Sequence, residues 1–324
     1  MKFNWNNTLL GTAILTLAIV AQAATPPAWP NRPIRMIVTS TPGSPPDIVA
    51  RMVGERLVPA FGQPVVVENR PGAVGTIGLN VVAKATPDGY TYGILSITHL
   101  VAPVLLPSVP FDIVTDFAPV VQVNWESQLL VVRAASSWKS VKDLVAFAKS
   151  QPGRITFASG GNGTPAHLSA EFFKRHTGID IRHVPFKGPV AGVSAIVGEQ
   201  IDIMFSATSA ASPHIQSGRL RALATPAPHR VPAFAEVPTM IELGYAGVEI
   251  RGWHGIVAPA TTPKAIIARV ASEIAKLSAL STERLAVLGM APAGQSRPEA
   301  FGILIRSELA RWNKVARDAG IRAE

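Results

Sequence analysis

Short apolar segments alternate along this chain with longer amphipathic segments. The short segments, such as "IRMIVTS" at 34–40, are rich in β-branched residues and are typical of buried strands. The longer segments, such as "DIVARMVGERLVPAF" at 47–61, repeat their apolar residues at helical spacing. The pattern predicts strands at 34–40, 64–70, 90–96, 128–133 and 154–159, and helices at 47–61, 75–85, 140–150, 164–178 and across 263–289. This alternation predicts an α/β fold whose sheets are mostly parallel and flanked by helices.

Residues 1–23 have the three parts of a secretory signal peptide. Lys2 lies near the start, an apolar run covers residues 9–20, and "AQA" precedes Ala24. The apolar run is shorter than the roughly 20 residues that a membrane-spanning helix needs, and a retained membrane anchor is the alternative interpretation. We therefore expect a signal peptide that is cleaved after Ala23 and a mature protein that is exported to the periplasm.

The composition is typical of a compact exported protein. Hydrophobic residues make up 48% of the chain and charged residues 16%, so the chain can form a sizeable core. Its length favours two domains over one. The chain has no cysteine, which excludes thiol catalysis, iron–sulfur clusters and cysteine-based zinc sites. A large periplasmic protein without disulfides fits this composition better than a small disulfide-rich secreted one.

The formal net charge of +9 raises the question of nucleic-acid binding. The lysines and arginines are scattered, however, and the sequence has neither a basic run nor an RNA-binding or zinc-finger signature. Export would also separate the protein from cytoplasmic nucleic acid. We therefore expect no nucleic-acid partner.

Two predicted strand–loop–helix units share one design. The loop "TPGSPP" follows the strand at 34–40, and the loop "GGNGT" follows the strand at 154–159. Each loop leads into a helix N-terminus, and such termini favour carboxylate, sulfate or phosphate groups. The second helix has Thr164 as N-cap and Pro165 in first position, but its first turn has no Asp or Glu to compensate the helix dipole. Two such termini, one in each domain, predict a cleft for a small anion with more than one acidic group.

An ordered set of segments extends over nearly the whole mature chain. In order, these segments are "NRPIRMIVTSTPGSPPDIVAR", "GQPVVVENRPGAVGTIGLNVVAKATPDGYTYGIL", "FASGGNGTPAHLSAEFFKRHTGIDIRHVPFKG", "GRLRALA", "VPTMIEL" and "GWHGIVAPATTP". Together they resemble the extracytoplasmic solute receptors of tripartite tricarboxylate transporters, also called the Bug family. The resemblance implies a two-lobed periplasmic binding-protein fold, a carboxylate ligand in the cleft between the lobes, and delivery of that ligand to membrane transporter subunits.

In such a fold the first lobe is discontinuous in sequence. We expect residues 24–124 and 252–324 to form lobe 1 and residues 125–251 to form lobe 2. Strands near 120–124 and 252–258 should cross between the lobes. The helical segment toward the C-terminus should then pack back onto lobe 1.

The first loop departs from the family pattern, which usually has two adjacent glycines, two variable residues and an aspartate. The corresponding residues here are Gly43, Ser44, Pro45, Pro46 and Asp47. A serine thus replaces the second glycine, and the two prolines lack N–H groups that could face a ligand. Ser44 and Asp47 also fit a capping box, so Asp47 could serve either the helix start or the ligand. The candidate donors in this loop are the amides of Gly43 and Ser44 and the hydroxyls of Ser40, Thr41 and Ser44.

The second loop keeps the family pattern better. Ser159, Gly161, Gly163 and Thr164 match positions that line the pocket of the family through main-chain amides and hydroxyls. The same glycines could simply form a tight turn between strand and helix, and the two roles are compatible.

Two further candidates each have two open roles. His167 in the first turn of the second helix is either buried or in contact with the ligand. Its spacing from Glu171 suits a metal ion, but no further ligands are positioned to complete a site, so we expect neither a metal nor a cofactor. Asp202 could contact an amine or hydroxyl of the ligand, or it could bond to a neighbouring turn.

The sequence has neither a GxSxG nucleophile elbow nor a phosphate-binding P-loop. Together with the resemblance, this predicts a non-enzymatic, monomeric periplasmic receptor that passes a small organic carboxylate to two membrane subunits. A sensor that presents its ligand to a membrane signalling kinase and an exported hydrolase are the alternatives. The ligand stays open among dicarboxylates, amino acids, citrate-like acids and aromatic acids.

Overall fold

The structure is a computed structural model that describes residues 29–280, 282–294 and 296–318. The signal peptide expected at 1–23 lies outside the described residues. Within the described ranges, no helix combines the length and the apolar character that are required to cross a membrane.

The described chain forms two β-sheets with helices on both faces of each sheet. The strands are β1 (Ile34–Val38), β2 (Val65–Asn69), β3 (Thr91–Ser96), β4 (Phe117–Glu126), β5 (Gln128–Arg133), β6 (Thr156–Ser159), β7 (Arg182–Pro185), β8 (Ile203–Ala207), β9 (Leu220–Ala224), β10 (Gly252–Pro259) and β11 (Met290–Pro292). The first sheet has the strand order β11-β4-β10-β3-β1-β2, and the second has the order β7-β6-β8-β5-β9.

Helices follow most of the strands. They are α1 (Pro45–Phe61), α2 (Thr76–Ala83), α3 (Ile97–Leu105), α4 (Val141–Ser150), α5 (Pro165–Thr177), α6 (Pro189–Val197), α7 (Thr208–Gln216), α8 (Lys264–Leu280), α9 (Thr282–Val287) and α10 (Pro298–Asp318). Proline occupies the first position of α1 and α5, where its missing N–H has no intrahelical partner to lose. Gly62 and Gly178 end these two helices in the left-handed conformation, with φ of 66° and 67°.

Both faces of the central strands are buried, which explains why these strands are nearly continuous apolar runs. In β1, Met36 packs in a cluster on one face, while the neighbouring Ile37 packs in a separate cluster on the other. In β6, Phe157 and Ala158 likewise belong to clusters on opposite faces of the second sheet. Helices on both sides are therefore required to exclude water from each sheet.

The sheets are mixed, which corrects the expectation that they are mostly parallel. β1 is parallel to β2 and β3, and β6 is parallel to β7 and β8. In contrast, β10 is antiparallel to β3 and β4, and β11 is antiparallel to β4, while β5 is antiparallel to β8 and β9. The reason is that β5 and β10 enter their sheets from the space between the two sheets. They therefore run opposite to the strands whose carboxyl ends face that space.

The chain crosses between the sheets at two places. β4 ends at Glu126 and β5 begins at Gln128, so Ser127 alone separates them, just beyond the predicted crossing at 120–124. The return crossing leads into β10 at Gly252. The C-terminal helices α8 and α10 pack on β4 of the first sheet. The division of the whole chain into lobes, 24–124 with 252–324 and 125–251, remains our proposal.

Candidate functional site

A cleft of about 680 Å³ lies between the two sheets, beside the first crossing. Its walls come from the loops that follow β1, β2, β6 and β7, from the ends of β3 and β8, and from residues at the crossing itself. Most of these loops leave the carboxyl ends of parallel strands, which is where open α/β sheets bind ligands.

Six of the described helices begin at the wall of this cleft. The wall residues at their N-termini are Pro45 of α1, Gly75 before α2, Ser96 before α3, Pro165 of α5, Pro189 of α6 and Ala207 before α7. With the exception of α1, these described helices have no acidic residue in their first turn. Because each helix N-terminus carries about half a positive charge, the backbone makes this cleft electropositive and favourable to an anion.

In the first loop, Ser40, Thr41 and Ser44 line the cleft, whereas Gly43 does not. The Ser44 hydroxyl donates to the Thr41 carbonyl at 2.6 Å and lies 2.6 Å from the Ser40 hydroxyl. The Ser44 N–H also donates to the Thr41 carbonyl, at 3.2 Å. Several groups that were expected to face a ligand are therefore bonded within the loop.

Asp47 is buried, with 2% of its surface exposed, and supports the first loop from behind. Its carboxylate accepts hydrogen bonds from the Gly43 N–H (2.9 Å), from Arg51 (two bonds of 3.0 Å) and from the Asn69 amide (2.9 Å). Burial alone would raise the pKa of Asp47, but these bonds hold the pKa below its usual value. The expected capping box is absent, because the Ser44 hydroxyl bonds backwards along the loop and Asp47 reaches Gly43 instead.

In the second loop, Gly161 and Thr164 line the cleft, whereas Ser159, Gly163 and His167 lie behind its wall. The Gly161 N–H donates to the Ser159 hydroxyl at 3.1 Å, and the Gly163 N–H donates to His167 Nδ1 at 3.2 Å. Both glycines have positive φ, 125° and 72°, as a tight strand-to-helix turn requires. The two amides that were predicted to bind ligand therefore hold the turn together.

His167 is buried and shapes the second loop from inside the protein. Its ring stacks on the ring of His183, with 4.3 Å between the centroids. Burial lowers the pKa of His167 to about 3, and the charges of His183 and Lys174 act in the same direction. The ring is therefore neutral at neutral pH, which allows Nδ1 to accept the hydrogen bond from Gly163.

The N–H groups at the start of α5 are available to a ligand. Thr164 is the N-cap and makes no capping bond with its side chain. Pro165 has no N–H, and the first intrahelical bond is donated by the Leu168 N–H to the Thr164 carbonyl at 3.0 Å. The N–H groups of Ala166 and His167 thus have no acceptor within the helix, and Ala166 itself lies in the cleft wall.

Asp202 lies away from the cleft. Its carboxylate accepts hydrogen bonds from the Thr156 N–H at 2.7 Å and from the Thr156 hydroxyl at 2.9 Å. Thr156 begins β6, whereas the cleft lies beyond the other end of that strand. The contacts therefore favour the structural role of Asp202. Among the residues that the structure describes, no three His, Asp or Glu side chains are grouped so that they could hold a metal ion.

Sequence reasoning missed a third loop, residues 186–189, which follows β7 and lines the cleft. Gly188 is the N-cap of α6, with φ of 93°, and Pro189 begins that helix. The sequence "KGP" contained a usable signal, since glycine followed by proline commonly precedes a helix start. Lys187 is the only lysine or arginine among the described residues that line the cleft.

Sequence reasoning also missed a buried acid–histidine pair at the crossing. Glu126 ends β4, His254 belongs to β10, and Glu126 Oε2 lies 3.5 Å from His254 Nε2. Burial raises the pKa of Glu126 to about 8, and burial together with nearby His99 lowers the pKa of His254 to about 3. Although the distance would allow an ion pair, burial shifts both pKa values toward the neutral forms. No local pattern could have revealed the pair, because only the pairing of β4 with β10 brings these residues together.

Two glycines allow opposite walls of the cleft to approach closely. A Cβ atom at Gly163 would lie 2.5 Å from Leu105 Cδ1 and 3.1 Å from Val101 Cγ2, both on α3. A Cβ atom at Gly188 would collide with the Thr41 hydroxyl of the first loop. A side chain at either glycine would therefore require the neighbouring residue across the cleft to move.

The comparisons with known proteins agree with this geometry. The chain matches the model of the tripartite tricarboxylate transporter family receptor over residues 49–321. It is 35% identical to Protein BugT of Bordetella pertussis over 321 residues, and this match covers 97% of each chain. Its structure is similar to that of the periplasmic binding protein BugD (31% identity, 91% of this chain and 100% of that chain, TM-score 0.86). It is also similar to R. palustris Rpa4515 with adipate (31% identity, 91% and 100% coverage, TM-score 0.88). The predicted two-lobed binding-protein fold is thus confirmed, and the chain belongs to the receptor family of the tripartite tricarboxylate transporters.

Proposed function

We propose that this protein binds a small organic carboxylate in the cleft between its sheets and delivers it to the membrane subunits of a tripartite transporter. The observation that carries the proposal is the convergence of six described helix N-termini on one cleft. A carboxylate there would compensate the helix dipoles, which have little compensation from acidic side chains. The similar structure of Rpa4515 with adipate supports the same class of ligand.

The start of α5 is the place where the ligand carboxylate would bind. Its oxygens would accept a hydrogen bond from the N–H group of Ala166, which lies in the cleft wall and has no acceptor in the helix. Lys187, on the neighbouring loop before α6, would contribute a full positive charge. Hydrogen bonds to an ionised acceptor are about twice as strong as those between neutral groups, so a few of them suffice.

In this proposal the protein breaks no covalent bond. Ser159 and His183 lie within hydrogen-bonding distance, 2.7 Å, but Ser159 is fully buried behind the cleft wall, where a substrate would not reach it. A hydrolase needs an accessible nucleophile beside a base. We further propose that the receptor acts in the periplasm and as a monomer.

The substitution Ala166→Pro tests the proposed carboxylate site, because it removes one N–H without changing any charge. Helix α1 already begins with Pro45 and Pro46, so two prolines are compatible with a helix start in this protein. We expect carboxylate affinity to fall at least tenfold, since a hydrogen bond to a charged group contributes about 1.5–3 kcal/mol. Ala166→Ser keeps the N–H and should bind as the wild type does.

The ligand for this test comes from a thermal-shift screen with a broad panel of organic acids, followed by calorimetry on the tightest binder. A ligand at 100 times its dissociation constant should stabilise the fold by about 2.7 kcal/mol. Equal affinities of the proline and serine variants would mean that the carboxylate binds elsewhere. If no acid in the panel raises the melting temperature while neutral or cationic compounds do, the proposed function is wrong.

A further inference from the structure

The cleft has two ends with different chemistry. The loop end consists of residues 160–166 and 186–189, which contain the starts of α5 and α6. The hinge end consists of Ser96, Thr98, Glu126, Gln128 and His254, which lie around the first crossing. In the second sheet, β6 leads to the loop end and β5 begins at the hinge end, with β8 between them. The two ends are therefore two strand spacings, about 10 Å, apart.

The first loop cannot match the loop end as an anion site. Pro45 and Pro46 have no N–H, so the start of α1 lacks the donors that the start of α5 presents. The N–H groups of Gly43 and Ser44 are already bonded, to Asp47 and to the Thr41 carbonyl. The expectation of two equivalent anion-binding helix starts, one on each side of the cleft, therefore does not hold for the first loop.

The hinge end is also unsuited to a second carboxylate. Lys187, the only lysine or arginine among the described wall residues, belongs to the loop end. The hinge end instead contains the Glu126 carboxyl group, which is buried beside the neutral His254. A ligand carboxylate placed there would lose its hydration with no lysine or arginine among the described residues there to compensate it, and the start of α3 is already closed by a capping box between Ser96 and His99.

The walls of the cleft are largely apolar. Five prolines line the cleft, and the larger apolar wall residues are Val74, Leu106, Phe186, Met204 and Trp253. Such walls favour a ligand whose body is an alkyl chain or an aromatic ring, because burying apolar surface releases it from water.

We propose that the ligand is a monocarboxylic acid with an apolar body. Its carboxylate binds at the loop end, and its uncharged far end lies against the hinge end. This inference rests on the proposed carboxylate site at α5, and it adds that neither the first loop nor the hinge end forms a second carboxylate site. It distinguishes this receptor from the similar Rpa4515, whose bound adipate has a carboxylate at each end.

Matched pairs of acids test the inference directly. Butyrate, hexanoate, octanoate and 4-methylbenzoate are compared by calorimetry at pH 7 with succinate, adipate, suberate and terephthalate, each of which has a carboxylate in place of the terminal methyl group of its partner. The full-length mature protein is first freed of any co-purified ligand by unfolding and refolding. We expect the tightest binder to be a monocarboxylate that binds at least tenfold more tightly than its partner.

The outcomes separate this inference from the proposed function. A dicarboxylate that binds as tightly as its monocarboxylate partner overturns the inference but leaves the proposed function intact. The inference is also overturned if no simple monocarboxylate binds while other kinds of organic carboxylate do. A screen in which no carboxylate binds at all overturns the proposed function as well.

A charge placed at the hinge end gives a second test. Thr98 is half-buried in the cleft wall at the start of α3. Thr98→Arg supplies the missing cation, and we expect it to shift the preference toward the dicarboxylate of the tightest pair by tenfold or more. Thr98→Gln, which is polar but uncharged, should keep the preference of the wild type. If the arginine variant melts normally and its preference for the monocarboxylate is unchanged, the far end of the ligand does not lie at the hinge end. If that variant does not fold, the affinities of the wild-type protein for the matched acids decide the question.

Discussion

The second helical position differs between the two loop–helix units, and this residue decides whether that position offers an N–H to the cleft. It is Pro46 in α1 and Ala166 in α5, and only the alanine has an N–H. The sequence alone predicted the missing donors of the first loop. It could not predict that the amides of Gly43 and Gly161 are already bonded, because those bonds depend on where packing places the side chains of Asp47 and Ser159.

Replacing Gly161 by Asp tests the electrostatics of the loop end. A Cβ atom there would meet the Phe186 carbonyl oxygen at 3.7 Å, so a side chain has room, but the φ of 125° strains any residue other than glycine. Gly161→Asn has the same strain and nearly the same shape without the charge. We expect the Asp variant to bind carboxylate about a hundredfold more weakly than the Asn variant, because the added carboxylate repels the ligand and competes for its donors. Equal affinities in calorimetry would show that the anion lies elsewhere.

Three buried histidines should destabilise the protein in acid. Burial lowers the pKa of His99 to about 4 and those of His167 and His254 to about 3, whereas a histidine in the unfolded chain has a pKa near 6.5. As the pH falls from 6.5 toward 3, the unfolded chain therefore binds protons that the folded protein does not. The free energy of unfolding should fall by up to about 1.4 kcal/mol per pH unit for each histidine.

The measurement is the melting temperature between pH 8 and pH 4. His167→Asn isolates one contribution, since the Asn oxygen can still accept the hydrogen bond from Gly163 while the titrating ring is gone. The variant should lose less stability in acid than the wild type does. Parallel curves for the two proteins would mean that the pKa of His167 is the same in the folded protein as in the unfolded chain.

At the scale of elements, the hydrophobic pattern succeeded where a polar loop follows an apolar strand. The predicted bounds of β1, β2, β3, β5 and β6 agree with the structure to within two residues. The pattern failed at α3, which begins at Ile97 directly after β3 and is as apolar as the strand, so no change of period marks the boundary. Strand direction also escaped prediction, because it depends on where the chain crosses between the sheets.

The same limit applies to the site. The loops after β1 and β6 could be predicted as binding elements, because each combines a strand end, a glycine and a helix start within a few residues. The hinge end could not be predicted, because Glu126 and His254 come from strands that are distant in sequence and adjacent only in the folded sheet. Local chemistry is visible in a sequence, whereas chemistry assembled by long-range pairing is not.

For the whole molecule, contact across the cleft depends on the absence of a side chain at Gly188. Gly188→Ala should prevent the second sheet from approaching the Thr41 hydroxyl, so that the two sheets stay further apart. We expect the variant to keep a larger radius of gyration than the wild type at saturating ligand, and to bind that ligand at least tenfold more weakly. Solution scattering and calorimetry would measure the two effects.

Gly178→Ala is the control for a side chain at a positive φ. Gly178 has a φ of 67° and a ψ of 28°, and a Cβ atom there meets nothing within 4 Å, so the substitution makes no contact across the cleft. Its backbone cost is lower than that at Gly188, whose φ of 93° and ψ of 163° are adopted almost exclusively by glycine. It should resemble the wild type in both measurements. If the two alanine variants behave alike, backbone strain and not the cross-cleft contact is responsible.

The convergence of six helix N-termini has a consequence for the unliganded receptor. Like poles of several dipoles face one another there, and water alone solvates such a region less well than an anion does. A receptor without its solute should therefore retain chloride, acetate or phosphate from its surroundings. Solute uptake then becomes an exchange of one anion for another, and the apparent affinity depends on which salt is present as well as on how much.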